Sequence, residues 1–327
     1  ATQAERQPGS AMKPFVYLAA IQSGKTPGSI VDDSPVTFGS WSPKNYENDF
    51  VGNITYRYAL QHSRNVAAVK IADEVGMTKV IKLAKEMGIT TLTDQDYNLS
   101  TALGGLTHGV TPLEMVQAYG VLANGGIKVQ PTAILKIVDR NGQVVEEHSI
   151  QEKRVVDEKD AAIITNMLES VINGGTGGNA AIGRPAAGKT GTTDDSKDAW
   201  FVGYTPDLVA AVWIGDDYGS ETLRGITGGD TPAIMWGQFM ANALANTPAS
   251  DFSVPASAQS AVSEGYYNPA KAQPKKEAAK DEKADKKDDK DKSKDEAVKD
   301  DSGSSKEEVS EQKSNSSKSK KSSKKDR

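Results

Sequence analysis

Phe15, Leu18 and Ile21 fall on one helical face behind Gly9-Ser10, and Gln22-Ser23-Gly24 ends the run. Pro14 is tolerated there because it lies in the first turn, where a missing N–H removes no helical bond. Residues 54–61 also read as helix, stop at Ser63-Arg64-Asn65, and resume at Val66-Ala67-Ala68-Val69. A further helix runs over 79–87 and closes at Gly88. Thr111-Pro112-Leu113-Glu114 is a capping box with proline at the first helical position. It opens a helix with Met115, Tyr119 and Leu122 on one face, ending at Asn124-Gly125-Gly126. Asp157 is expected to cap another, with Ile163, Ile164, Met167, Leu168 and Val171 as its stripe.

Strand signals come later. Residues 134–138 and 144–147 flank Asp139-Arg140-Asn141-Gly142, a hairpin turn. A glycine-rich loop over 174–183 precedes three strand candidates at 186–192, 199–204 and 208–214. Thr231-Pro232 starts a last helix through Trp236 and Phe239 to Leu244. Helices first and antiparallel strands late predict an α+β layer arrangement, not a parallel sheet. The polar stretch 26–53 reads as a long surface excursion beside Ser10. Trp41 and Tyr46 within it would either line a cleft or cover a core edge.

Composition divides the chain. Residues 271–327 carry 19 Lys/Arg and 15 Asp/Glu with no aromatic residue, the pattern of a disordered charged tail. Of the chain's 39 basic and 44 acidic residues, that leaves 20 and 29 in residues 1–270. The reading is therefore a body over 1–247, a linker over 248–270 and a tail over 271–327. An acidic body argues against nucleic acid as the main partner, and any contact with it through the tail would be non-specific. The basic end from Lys313 would at most touch anionic wall polymers. No cysteine is present, so disulfides and thiolate metal sites are excluded. No apolar run reaches membrane-spanning length. The chain starts at Ala1, nine residues before Ser10, and is expected to be part of a longer protein whose anchor lies in the remainder.

Three short elements carry candidate chemistry. Ser10 and Lys13, three apart at a helix mouth, share a face. A serine hydroxyl needs a proton acceptor to become a nucleophile. None of His62, His108 and His148 sits in a recognisable nucleophile elbow, so Lys13 is the candidate base. That requires a lowered pKa, from burial or a second cation, and Lys189 would be that cation. Ser63 would relay the proton, and the Asn65 carboxamide would hold a substrate amide. Thr190 and Thr192 would grip a carboxylate, and Gly191 would let a substrate backbone approach. The backbone N–H groups of Ser10 and Thr192 would form an oxyanion hole. Singly, each element also fits a helix cap, an inter-helix turn or a strand end. Ser-x-x-Lys recurs by accident in the tail, at Ser317/Lys320 and Ser322/Lys325.

The segments Arg6-Gln7-Pro8-Gly9-Ser10-Ala11-Met12-Lys13-Pro14, Ala59-Leu60-Gln61-His62-Ser63-Arg64-Asn65, Gly188-Lys189-Thr190-Gly191-Thr192-Thr193 and 198–206 together resemble class A, bifunctional penicillin-binding proteins. The resemblance covers roughly residues 6–244. It implies a penicillin-binding protein/serine β-lactamase-like transpeptidase fold, an antiparallel sheet flanked by helices. It implies a D,D-transpeptidase that cross-links peptidoglycan stem peptides through a serine acyl-enzyme and is trapped by β-lactams. The site residues it implies are Ser10, Lys13, Ser63, Asn65 and Lys189, with Thr190, Gly191, Thr192 and Thr193 binding substrate and no cofactor or metal. It places the parent protein on the extracytoplasmic face of the membrane. The family's strands upstream of the serine helix are missing here, so an unfinished sheet edge is expected.

Rival readings remain. Gly183-Arg184-Pro185-Ala186-Ala187-Gly188-Lys189-Thr190 matches a Walker A loop, which needs a strand before it and a helix after it. A D,D-carboxypeptidase or serine β-lactamase-like hydrolase keeps the fold, and class A lactamases add a dedicated glutamate. An inactive wall-binding fragment is the third alternative.

Overall fold

The computed structural model describes residues 1–216, 218–223 and 225–266, all within one compact unit, Ala1–Gln273. Its first half is helical. A single 3-10 turn, Gly9–Met12, leads into α1 (Lys13–Gln22), so Ser10 lies in that turn and not in the α-helix proper. The residues from Lys13 to Ile21 are all buried. The expected one-sided stripe is thereby corrected. Ala19 and Ala20 are as hidden as Leu18, and a helix covered on every side belongs inside a core.

β1 (Ile30–Asp32) and β2 (Asn53–Thr55) pair antiparallel and tie off the long excursion at both ends. The helix expected over 54–61 is shorter for that reason. It is α2 (Tyr56–Gln61), capped by the Thr55 hydroxyl, which accepts the Tyr58 N–H. α3 (Asn65–Val75) and α4 (Met77–Met87) follow, meeting at Gly76. α5 (Pro112–Ala123) begins with both halves of the expected capping box formed. β3 (Ile127–Val129) pairs with β6 (Glu152–Arg154), bracketing the expected hairpin of β4 (Lys136–Val138) and β5 (Val144–Glu147). α6 (Glu158–Gly174) has Asp157 at its N-cap position, but the Asp157 side chain makes no capping hydrogen bond.

β7 (Ala187–Thr192), β8 (Asp198–Tyr204) and β9 (Val209–Gly215) form an antiparallel sheet in that order. The sheet separates two cores. Trp200, Val202 and Tyr204 of β8 face the helices around α1, whereas Phe201 faces α7 (Thr231–Ala243) and packs against Trp236. This is the two-residue strand period with both faces covered. Trp200 and Trp236 are fully buried, and truncating such a side chain to alanine costs about 3–5 kcal/mol in comparable cores.

The stretch read as a linker, 248–270, is packed on the body as far as Tyr266. Phe252 meets Tyr204 edge-on, and Ala258 and Ala261, the latter in α8 (Gln259–Val262), are buried. The segment read as a tail, 271–327, lies outside the described residues. Among the described residues no helix is long and apolar enough to cross a membrane.

Candidate active site

The turn at Gly9–Met12, the link between α2 and α3, and strand β7 meet at a cleft of about 340 Å³. Ser10, Ser63, Asn65, Thr190 and Thr192 line it. Lys13 and Lys189 lie beneath its floor, both fully buried. Seven residues singled out in the sequence are thus brought together from three distant segments.

Each segment is fixed locally. The Gln7 side chain pairs with both the N–H and the carbonyl of Leu106, and the Trp200 indole N–H donates to the Gln7 carbonyl. These contacts anchor the chain three residues before Ser10. Ser63 has φ of 54°, a left-handed conformation that costs a non-glycine residue about 1–3 kcal/mol. It is held there because its N–H donates to Leu60 O and that of Arg64 donates to Ala59 O, the last carbonyls of α2.

The strained turn places the Ser63 hydroxyl between two amines. Lys13 Nζ lies 3.1 Å and Lys189 Nζ 2.9 Å from Ser63 Oγ. Lys13 Nζ also donates to the Ser63 carbonyl and, at 2.6 Å, to Asn65 Oδ1. An ammonium has three hydrogens and no acceptor; a neutral amine has two hydrogens and one lone pair. The two carbonyl oxygens can only accept, so they take both hydrogens of a neutral Lys13. Its lone pair is then left for a hydroxyl. A continuous path results, from Lys189 N–H to Ser63 Oγ and from the Ser63 O–H to Lys13 Nζ. Ser10 Oγ takes no hydrogen bond among the described residues and stands open to the cleft.

Electrostatics favour that neutral form. Burial first, and then the nearby Lys189 ammonium, hold Lys13 well below the ordinary lysine range. Burial brings Lys189 down to about 7. A lysine whose folded pKa is lowered costs stability while it is charged, fully so below its folded pKa. The cost disappears as pH rises toward the unfolded value of 10.5. Urea midpoints are therefore expected to increase from pH 7 to pH 9, and the increase should shrink in Lys189→Met. An unchanged increase in that variant would mean Lys189 stays charged.

Two of the expected substrate-binding residues also have structural partners. A Cβ on Gly191 would sit 2.3 Å from the Pro8 carbonyl and 3.2 Å from Ala11 Cβ. What approaches this glycine on its Cβ side is the serine turn itself, so the missing side chain seats the turn that carries Ser10. The Thr193 hydroxyl accepts the N–H groups of Lys197 and Asp198, which makes it an anchor of the turn between β7 and β8. Thr190 shares a hydrogen bond with Thr176, and Thr192 accepts the Gly228 N–H, so these two hydroxyls are held at the wall. Asn65 gives one N–H to the Lys44 carbonyl, which leaves its second N–H for a ligand. The Walker A match ends inside β7, which holds residues 187–190 of it, and the next element is β8, with no helix there to bind phosphate. Tyr46 lines the cleft, whereas Trp41 pairs with Phe38 away from it. Thr176, Asn179 and Asp230 also reach the cleft; the glycine-rich loop and the start of α7 that carry them hold no motif.

Comparisons with known proteins identify the family. The sequence profile of the penicillin binding protein transpeptidase domain matches residues 1–221. Penicillin-binding protein 1A of Aquifex aeolicus is 41% identical over 262 residues, which cover 78% of this chain and 35% of that protein. The crystal structure of penicillin-binding protein 1A from Haemophilus influenzae superposes with a TM-score of 0.73 at 29% identity, covering 78% of this chain and 45% of the other. The PonA1 protein of Mycobacterium tuberculosis in complex with penicillin V superposes at 0.69 with 31% identity, covering 77% and 72%. The chain spans about a third of the length of the Aquifex relative. With that profile covering more than half of its length, this chain belongs to the family of penicillin-binding protein transpeptidase domains.

Proposed function

We propose that this chain is the D,D-transpeptidase domain of a peptidoglycan synthase on the extracytoplasmic face of the membrane, with Ser10 as its nucleophile. The observation that carries the reading is the convergence of two buried lysines on the Ser63 hydroxyl beneath an open serine. Ser10 Oγ attacks the carbonyl between two D-alanines of a donor stem peptide; as it does, the Ser63 O–H turns away from Lys13, whose freed lone pair takes the Ser10 proton. The oxyanion is held by the backbone N–H groups of Ser10 and Thr192, adjacent because Gly9 packs against the Thr192 carbonyl. The C–N bond then breaks. Lys13 returns the proton through Ser63 to the leaving D-alanine amine. A neighbouring stem-peptide amine attacks the ester, and its proton goes back to Ser10 Oγ. Thr190 and Thr192 bind the donor carboxylate. A β-lactam enters the first half of this sequence and stops there.

A hydrolase is the second reading, because Glu47 also lines the cleft. Intact mass after benzylpenicillin treatment separates the two. A stable adduct of one penicilloyl group is expected, absent in Ser10→Ala, where the loss is total within detection. An adduct that decays within minutes would favour hydrolysis. No adduct on a cooperatively folded chain would remove the acyl-enzyme reading.

A further inference from the structure

We propose that Arg57, latched by the returning segment 262–266, is the positioning residue for Ser63. The inference rests on the acyl-enzyme reading for its kinetic consequences and on geometry for its structural ones. Arg57 lies in α2, six residues before Ser63, and is fully buried. Its guanidinium donates to Asn166 O at 3.1 Å and Ser170 Oγ at 3.0 Å, both in α6. Its other donors reach Glu264 O at 2.7 Å and Val262 O at 2.8 Å. The Tyr266 ring lies over the guanidinium carbon at 4.1 Å. No carboxylate among the described residues hydrogen-bonds it. The Glu169 and Glu264 carboxylates favour its charge from a distance, but every hydrogen bond it makes is to a carbonyl or a hydroxyl, so its placement depends on those acceptors and the ring. Two of the three carbonyls, and the ring, come from the segment 262–266.

That segment is seated independently of Arg57. The Thr26 hydroxyl donates to the Glu264 carboxylate and the Thr55 hydroxyl to the Gly265 carbonyl at 2.7 Å. Gly265 has φ of 77°, and a Cβ there would meet the Pro27 carbonyl at 2.1 Å. The docked segment thus bridges the residues just before β1, the end of β2, and α6.

Ser63 feels this through α2. A six-residue helix has too few internal hydrogen bonds to hold itself, so tertiary contacts set its place. The carbonyls of Ala59 and Leu60 at its end carry the Arg64 and Ser63 N–H groups, and the Ser63 hydroxyl is the link between the two lysines. Releasing Arg57 moves the end of α2 and opens the relay. Ser10 and the cleft wall of β7 stay where they are.

The test uses the full chain, Arg57→Met and Gly265→Ala, each well below its own Tm. The second variant removes none of the Arg57 donors and decides the matter if the first does not fold. Benzylpenicillin acylation is followed by quenched mass spectrometry over a range of concentrations, and amide exchange is read over 60–65. The expected result is a limiting acylation rate lowered on the order of ten- to hundredfold, with half-saturation within about twofold of the parent. Exchange at 60–65 should accelerate in parallel. A lower Tm with unchanged limiting rate and unchanged exchange would overturn the proposal, leaving Arg57 as a staple of the C-terminal segment. If the parent chain takes no penicilloyl group, the acyl-enzyme reading fails while the exchange result still judges the latch.

Discussion

Lys13→Met is expected to lower benzylpenicillin acylation by roughly 10²–10⁴-fold, the usual span for removing a general base. The geometry makes the prediction specific. Lys13 is fully buried, and its two carbonyl partners leave a neutral amine one lone pair. A second variant separates base from charge. Arginine keeps the positive charge but cannot give up its proton in a protein, so Lys13→Arg should be as slow as Lys13→Met. If Lys13→Arg acylates within tenfold of the parent chain, the side chain acts through its charge and the relay is wrong. Ser10→Ala differs in kind, because it removes the bond-forming atom. In Lys13→Met, prolonged incubation should still label Ser10, and mass spectrometry at long times reads that residual rate.

What the sequence made legible follows from where physical constraints are local. The capping box of Thr111 and Glu114 sits within four residues, so its two hydrogen bonds could be anticipated directly. Ser10 with Lys13, and Ser63 with Asn65, stand out as candidates because each pair holds its residue types at a short spacing, and Lys189 because it opens a Lys-Thr-Gly triplet. Strand β8 was found as an apolar run, although its two-residue period is hidden because both faces are covered. Other features had no local signature. β1 buries only Val31, which is too little to show a period. β3 and β6 pair through residues such as Lys128, Lys153 and Glu152, which read as solvated surface. The packing of the serine turn on Gly191 had no signature either, because a glycine in an edge strand does not say which neighbour fills its space. Arg57 and the segment it holds are about 200 positions apart, and no spacing rule reaches that far.

The pairing that fixes the long excursion was equally invisible, and breaking it should have the largest effect on stability. Asp33 and Arg64 are 31 positions apart, yet the Asp33 carboxylate is fully buried and accepts from Arg64 Nε at 2.9 Å and Nη2 at 2.7 Å. The same carboxylate accepts both contacts of the Asn45 amide at 3.1 Å. Asn45 in turn offers its carbonyl to the N–H groups of Asn65 and Val66, which open α3. Asp33→Ala therefore leaves a buried guanidinium short of its main partner and frees the amide that caps α3. Removing one member of a buried ion pair costs about 3–5 kcal/mol where the remaining charge is left without a partner; Arg64 keeps Asp49 Oδ1 at 2.8 Å, so the lower end of that range is expected. For a body of this size that lowers Tm by roughly 10 °C. Asp33→Asn keeps one acceptor and should fall between the two. The double variant Asp33→Ala/Arg64→Met removes a charge left with Asp49 as its close carboxylate partner and should recover part of the loss, which is the sign that the penalty is electrostatic. A double variant no more stable than Asp33→Ala would instead place the loss in the Asn45 contacts. The site should register the change as well, since Asn65 receives the Asn45 contact at its N–H and holds Lys13 with its side chain. Acylation by Asp33→Ala, measured where it remains folded, is expected to be slower than that of the parent, because the amide that orients the base has lost its own support.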